Sequence, residues 1–231
     1  AVIGFSEIMT AELMGPLGTE AYRGYVKDIH ESATHLLAII NDILDVSSIE
    51  AGMPRLKEFL ISVEEICRSV ETLMSGKLQE ANIAMTVELH GVTCGLWADG
   101  RLVKQMLINL VSNSIKFSAA NTHIKLSVTQ MSDRTMQFSV DDQGIGIAPS
   151  DLDRILRPFE QVENALSRSR DGVGLGLALV KSMAEAHDAT LQISSVQHEG
   201  TSVTIAFPPE RVHEWPAGKP HDRARPRAAS V

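Results

Sequence analysis

The stretch Val140-Asp141-Asp142-Gln143-Gly144-Ile145-Gly146-Ile147, read with Gly172-Val173-Gly174-Leu175-Gly176 further on, decides how the chain is parsed. The first ends an apolar, strand-like run, Met136 to Val140, in a carboxylate and two glycines. The second places three alternating glycines ahead of an apolar helical run, Leu177-Ala178-Leu179-Val180. Glycine lets a backbone approach a ligand closely. A helix N-terminus presents unpaired N–H groups and positive partial charge to phosphate. Either piece alone is weak evidence; together they predict a nucleotide pocket.

Working outward, Gln105, Asn109, Asn113 and Lys116 fall at helical spacing after Asp99, a predicted N-cap. They lie opposite Leu102, Met106, Leu107, Leu110 and Val111. An amide oxygen suits Mg²⁺, a hard cation that prefers oxygen, and a lysine ending the stripe can meet phosphate. Alone, the stripe would read as a solvated polar face; beside both glycine motifs it reads as ligand-directed. Asp142 could accept a hydrogen bond from the exocyclic amine of adenine, a donor that guanine does not offer there. It could equally be a turn aspartate holding its own backbone, and the local sequence leaves both readings open. Gly144 and Gly146 would let the backbone pass close to a base. The run Arg154-Ile155-Leu156-Arg157-Pro158-Phe159-Glu160-Gln161 precedes a polar stretch, Glu163 to Asp171, containing Arg168 and Arg170. It reads as a lid rooted by Phe159, with arginines toward phosphate; a plain loop is the alternative.

The remaining elements follow from periodicity. Val2, Phe5, Met9 and Leu13 predict the end of an amphipathic helix, broken at Gly15-Pro16-Leu17-Gly18. Tyr22, Val26, Ile29, Ala33, Leu36, Ile40, Ile43 and Ser47 keep a heptad, widened by Leu37 and Leu44. A lone hairpin buries little, so it predicts half of a four-helix bundle and hence a homodimer. Glu50-Ala51-Gly52-Met53-Pro54 marks a boundary. Beyond it we expect a strand within 56–60, a helix 63–80 capped by Ser62, strands 83–89, 123–130 and 135–140, a helix to about 187, and a closing hairpin, 190–196 with 201–207. That order predicts an α+β fold, one sheet with helices on one face. The expected domains are 1–52, a dimerisation hairpin, and 53–207, a ligand-binding α/β sandwich. The segment 208–231, rich in Pro, Arg and His, is expected to be a disordered tail.

Bulk numbers set limits. The chain has 231 residues, 44% hydrophobic and 22% charged, with a net charge of −8. That balance, without a basic stripe, argues against nucleic acid as a partner. Cys67 and Cys94 lack metal spacing and read as reduced thiols. No run approaches the roughly 20 apolar residues of a bilayer span, so no membrane contact is expected. The opening in mid-pattern predicts a soluble, cytoplasmic piece of a longer protein.

The set N-x3-N-x2-K, D-x-G-x-G, R-P-F-E and G-x-G-x-G, in that order, resembles the N, G1, F and G2 boxes of bacterial sensor histidine kinases. The resemblance covers about 1–207. It implies the ATPase fold shared with gyrase and heat-shock protein 90, with ATP and Mg²⁺ as cofactors. It further implies transfer of the γ-phosphoryl to a histidine and on to a response-regulator receiver domain as partner. Asn109 would bind the metal and Lys116 neutralise phosphate charge, as catalytic residues. Asn113, Asp142, Gly144, Gly146, Phe159, Gly172, Gly174, Gly176 and Thr201 would bind the nucleotide. The opening Ala1-Val2-Ile3-Gly4-Phe5-Ser6-Glu7 resembles the segment after the phospho-accepting histidine, which is therefore expected upstream of residue 1. His30 precedes Glu31 but lacks the Arg-Thr-Pro that follows in the family, so it is not expected to be the acceptor. Ala186-His187-Asp188-Ala189 departs from the paired glycines usual at that helix end. The alternatives are a gyrase-like ATP-driven clamp and a non-catalytic dimeric scaffold. Clamps of that type carry a glutamate base where this chain has Gln105, and an amide cannot take a proton.

Overall fold

A computed structural model of the chain describes residues 1–50, 56–160 and 174–215. The chain divides into two compact units, Ala1–Gly52 and Met53–Val231, each taken by itself. No helix among the described residues is long and apolar enough to cross a membrane.

The first unit is a helical hairpin, α1 (Val2–Thr10) and α2 (Glu20–Glu50). Its turn contains Gly15 and Gly18 at φ 113° and 84°, values that tolerate little but glycine. Glu12 closes the turn: its carboxylate accepts from the Leu17 N–H at 3.4 Å and from Arg23 Nε at 2.7 Å. The Arg23 bond, foremost, holds the Glu12 carboxyl below its usual range. Between the helices, Ser6 Oγ donates to the Ile3 carbonyl and lies 2.9 Å from His30 Nδ1. With its hydrogen so placed, the hydroxyl accepts from a protonated Nδ1. Of the heptad, Val26 is buried, whereas Tyr22, Ile29, Leu36 and Ile40 remain exposed in a single copy. One hairpin leaves most of its apolar stripe in water.

The second unit begins with β1 (Phe59–Ile61) and α3 (Val63–Ala81), capped by Ser62 Oγ accepting from the Glu65 N–H. Next come β2 (Ala84–His90), β3 (Cys94–Ala98), α4 (Gly100–Phe117), β4 (His123–Gln130) and β5 (Met136–Asp142). After a 3-10 turn at Pro149–Asp151 follow α5 (Gly176–Ala186), β6 (Thr190–Val196) and β7 (Gly200–Phe207). A second 3-10 turn, Pro209–Arg211, leads into β8 (Val212–Glu214). The main sheet has the order β2-β4-β5-β7-β6. Only its β2–β4 pair is parallel. Strict alternation sorts its faces. Ile124, Leu126, Val128, Met136, Phe138, Val140, Val203, Ile205 and Phe207 are buried. On the other face Ser139 meets Thr204 at 2.8 Å, and Lys125 pairs with Asp141 at 3.5 Å. Helices α3, α4 and α5 pack in a layer through Cys67, Val70, Met74, Met106, Leu110, Leu179 and Met183. Burial, with Glu64 and Glu71 nearby, pushes the Cys67 thiol up to about 12, so it is a core residue rather than a reactive one.

Three expectations are corrected. The unit has two sheets rather than one, because β3, which periodicity did not reveal, pairs with β1 and β8 as a second sheet in the order β1-β3-β8. The first strand is Phe59–Ile61, displaced from the expected 56–60. The segment from 208 is not wholly a tail: 208–214 turns and pairs with β3, burying Val212. Arg211 holds it there, bonding Glu58, the Trp97 carbonyl at 3.1 Å and Asp188 at 2.9 Å. The rest of the expected tail, 216–231, lies outside the described residues.

The departure at 186–189 resolves without an alanine in left-handed backbone, since Asp188 takes φ 54° and aspartate tolerates that region. His187, fully buried, receives the Asp99 N–H on Nε2 at 3.1 Å. Nδ1 then carries the proton and donates to the Met183 carbonyl at 2.7 Å. Burial holds its pKa below the usual histidine value. This neutral imidazole ties the end of α5 to the start of α4.

Candidate functional site

Helix α4 starts where Asp99 Oδ1 accepts from the N–H groups of Arg101 and Leu102. Its apolar residues face the sheet, so the stripe Gln105, Asn109, Asn113 and Lys116 is left partly exposed along its flank. Gln105 Nε2 points at Asn109 Oδ1 from 3.4 Å. Lys116 Nζ lies 5.2 Å from the centre of the Phe117 ring.

Three contacts bring α4 to the other sequence motifs, and a fourth joins two of those motifs to each other. A Cβ on Gly176, the first residue of α5, would lie 3.4 Å from Asn113 Nδ2, so the opening of α5 abuts the amide stripe. The Gly174 carbonyl accepts from the Phe159 N–H at 3.2 Å; both residues have positive φ, 76° and 65°, and the Phe159 ring is exposed. The Ile145 N–H donates to the Phe117 carbonyl at 3.2 Å, fastening the loop after β5 to the end of α4. Ser114 Oγ donates to Asp142 Oδ2 at 2.9 Å.

Asp142 is the node. Its Oδ1 accepts from the N–H groups of Gly144 at 2.9 Å and Thr201 at 3.2 Å. Burial raises its pKa; those two N–H groups and the Ser114 hydroxyl oppose the rise, and Asp141 adds to it. The loop between β5 and the 3-10 turn rests on the β6–β7 turn. Gly146, at φ 65°, runs so close to Val196 that a Cβ would stand 2.0 Å from the Val196 carbonyl oxygen. Ser195 Oγ locks the same contact, accepting from the Ile147 N–H at 2.8 Å and donating to the Gly200 carbonyl at 2.9 Å. At Gly144 a Cβ would stand 2.7 Å from the Phe117 carbonyl oxygen.

The structure therefore brings together Asn113, Asp142, Gly144, Gly146, Phe159, Gly174, Gly176 and Thr201, with Asn109 one turn along α4 from Asn113. Gly172, Arg168 and Arg170, and with them the expected lid, lie outside the described residues. Sequence reasoning missed Ser114 and Ser195. Ser114 had a legible signal: it continues the buried stripe Leu107, Leu110, Val111 with a hydroxyl where an apolar residue is expected. An open groove of about 720 Å³ beside the start of α4 is lined by Phe59, Ile66, Arg101, Lys104 and Ile108. It shares only Gln105 with the stripe and has neither an acidic strand end nor a glycine turn. The acidic strand end and the glycine turns converge at the other end of α4.

Residues 98–211 match the family described as histidine kinase-, DNA gyrase B-, and HSP90-like ATPase. Residues 1–52 match the His Kinase A (phospho-acceptor) domain. The chain is 43% identical over 211 residues to the non-motile and phage-resistance protein of Caulobacter vibrioides, covering 90% of this chain and 25% of that one. It is 36% identical over 221 residues to the cell-division control histidine kinase PdhS of Brucella ovis, covering 92% and 21%. The chain thus spans a quarter or less of these relatives. Full-length ShkA, solved in complex with AMPPNP, superposes with a TM-score of 0.77 at 27% identity, over 94% of this chain and 43% of that one.

Proposed function

The chain belongs to the two-component sensor histidine kinases, and from that premise we propose that its second unit binds ATP with Mg²⁺. The γ-phosphoryl would pass to a histidine and then to an aspartate of a response-regulator receiver domain. The carrying observation is the convergence of the α4 amide stripe, the Asp142 carboxylate and the glycine-opened α5. Asn109 Oδ1, a hard oxygen that among the described residues meets only a long contact from Gln105, fits a magnesium ligand. Bound Mg²⁺ would supply charge neutralisation at the phosphates. Lys116 and Asn113 would meet phosphate oxygens, the start of α5 would offer N–H groups, and Asp142 would accept from the adenine amine. Catalysis of this kind is positioning and electrostatic stabilisation. Water activation is disfavoured, because Gln105 stands where a clamp ATPase needs a base.

Isothermal titration with ATP–Mg²⁺ tests this reading. We expect saturable binding that Asn109→Asp weakens by about tenfold or more, the scale of one charge-assisted interaction. Equal affinity in the variant would remove Asn109 from the site.

The hairpin would form a homodimer through its exposed stripe, Leu36 and Ile40 included, as a four-helix bundle. Light scattering at micromolar concentration is expected to give twice the chain mass; a monomer would refute the pairing. Use of ATP places this unit in the cytoplasm in the same reading.

A further inference from the structure

The Asp142 carboxylate offers about four lone-pair positions, two on each oxygen. Oδ1 has both filled, by the N–H groups of Gly144 and Thr201. Oδ2 has one filled, by the hydroxyl of Ser114. Among the described residues a single acceptor position is left, on the oxygen that Ser114 holds. A ligand amino group must therefore donate to Oδ2, at an angle fixed by the serine. Ser114 is itself fixed: it is 5% exposed on the buried face of α4, next to the Asn113 that abuts Gly176.

We propose that Ser114 is a positioning residue for base recognition: its hydroxyl, 2.9 Å from Asp142 Oδ2, orients that oxygen so that one amino group of a purine is accepted there. The inference rests on the ATP reading and deepens it. The environment supports it. Burial alone pushes the Asp142 carboxyl toward its neutral form, and Asp141 pushes the same way. Asp141 is compensated by Lys125 on β4. The groups on Asp142 itself, from α4, from the following loop and from β7, are the neutral donors Ser114, Gly144 and Thr201. Removing the hydroxyl takes away a donor and leaves Oδ2 buried and less satisfied. A protonated carboxyl then becomes easier to form, and that form reads an amine poorly. Adenine-nucleotide affinity falls as pH drops through the Asp142 pKa, and the fall begins at higher pH without Ser114.

The test compares wild type with Ser114→Ala, a small change that suits a helix, with thermal melting to verify folding. The carboxyl ¹³C signal of Asp142 is titrated in nucleotide-free protein. ADP affinity is measured from pH 5 to 8, with inosine diphosphate, which has a 6-oxo group instead of the amine, as comparison. The expected result is a midpoint raised by about one pH unit, the scale of one hydrogen bond to a charged group. ADP affinity at the acid end should drop about tenfold, with a smaller preference for ADP over inosine diphosphate. An unmoved midpoint, or an ADP acid limb unchanged in the variant, overturns the assignment to Ser114. Wild-type protein that binds no adenine nucleotide at any pH refutes the ATP reading instead, and the carboxyl titration still judges the serine.

Discussion

Gly146→Ala is expected to weaken nucleotide binding severely. Two costs coincide there. The backbone sits at φ 65°, where a side chain costs on the order of 1 kcal/mol. The new methyl would also stand 2.0 Å from the Val196 carbonyl oxygen, a backbone atom that cannot swing aside. The loop must lift off the β6–β7 turn, breaking the Ile147–Ser195 bond and displacing the segment joined to Asp142. Titration with ADP should show a loss of about a hundredfold or more, for about 3 kcal/mol of misplacement. Circular dichroism should still report a folded domain, since the core strands are untouched. Gly176→Ala is the internal contrast. Among the described residues its Cβ meets only the Asn113 amide, at an ordinary 3.4 Å, and no more than a modest loss is expected. Equal affinity in Gly146→Ala and wild type would show that this loop does not form the pocket.

Ending the chain after Phe207 is expected to lower the melting temperature by about 10 °C. The cut removes Val212, which is 1% exposed, and burying such a side chain is worth roughly 1.5–3 kcal/mol. It also removes the β3–β8 ladder and leaves Glu58, the Trp97 carbonyl and Asp188 without the Arg211 guanidinium. For a domain of this size each kcal/mol moves the midpoint by roughly 2–4 °C. Ending the chain after Trp215 keeps every one of these contacts and serves as the control. Equal melting of the two truncated chains would show that β8 contributes nothing to stability.

These two predictions divide between what was legible in the sequence and what was not. Elements whose signal is local could be read directly. Asp99 with the apolar stripe after it gave α4, Ser62 gave the start of α3, and the strand-like runs at 123–130, 135–140 and 201–207 gave β4, β5 and β7. Gly146 belonged to a motif with a stated physical purpose. The smaller sheet, by contrast, depends on partners far along the chain. β3 is Cys94-Gly95-Leu96-Trp97-Ala98, and glycine argues against a strand by propensity. Gly95 is glycine because a Cβ would stand 2.7 Å from the Trp215 ring and 2.9 Å from Leu60, contacts that exist only once β1 and the end of the domain are in place. β8 is three residues long, without periodicity to detect. The site was legible as residue types with a purpose. Its bonds were not: Ser114 on Asp142 and Ser195 under Ile147 are meetings of surfaces, and spacing along a chain does not encode them.

The smaller sheet also governs when the domain can be finished. Its last strand, Val212–Glu214, leaves the ribosome some 150 residues after its first, Phe59–Ile61. Synthesis proceeds at about 5–20 residues per second, so the central strand waits many seconds with one edge unpaired. Closing so long a loop is entropically slow compared with pairing the adjacent hairpins. A nascent domain would therefore hold an open β-edge until Val212–Glu214 has been made, the interval in which that edge is most exposed to pairing with another strand.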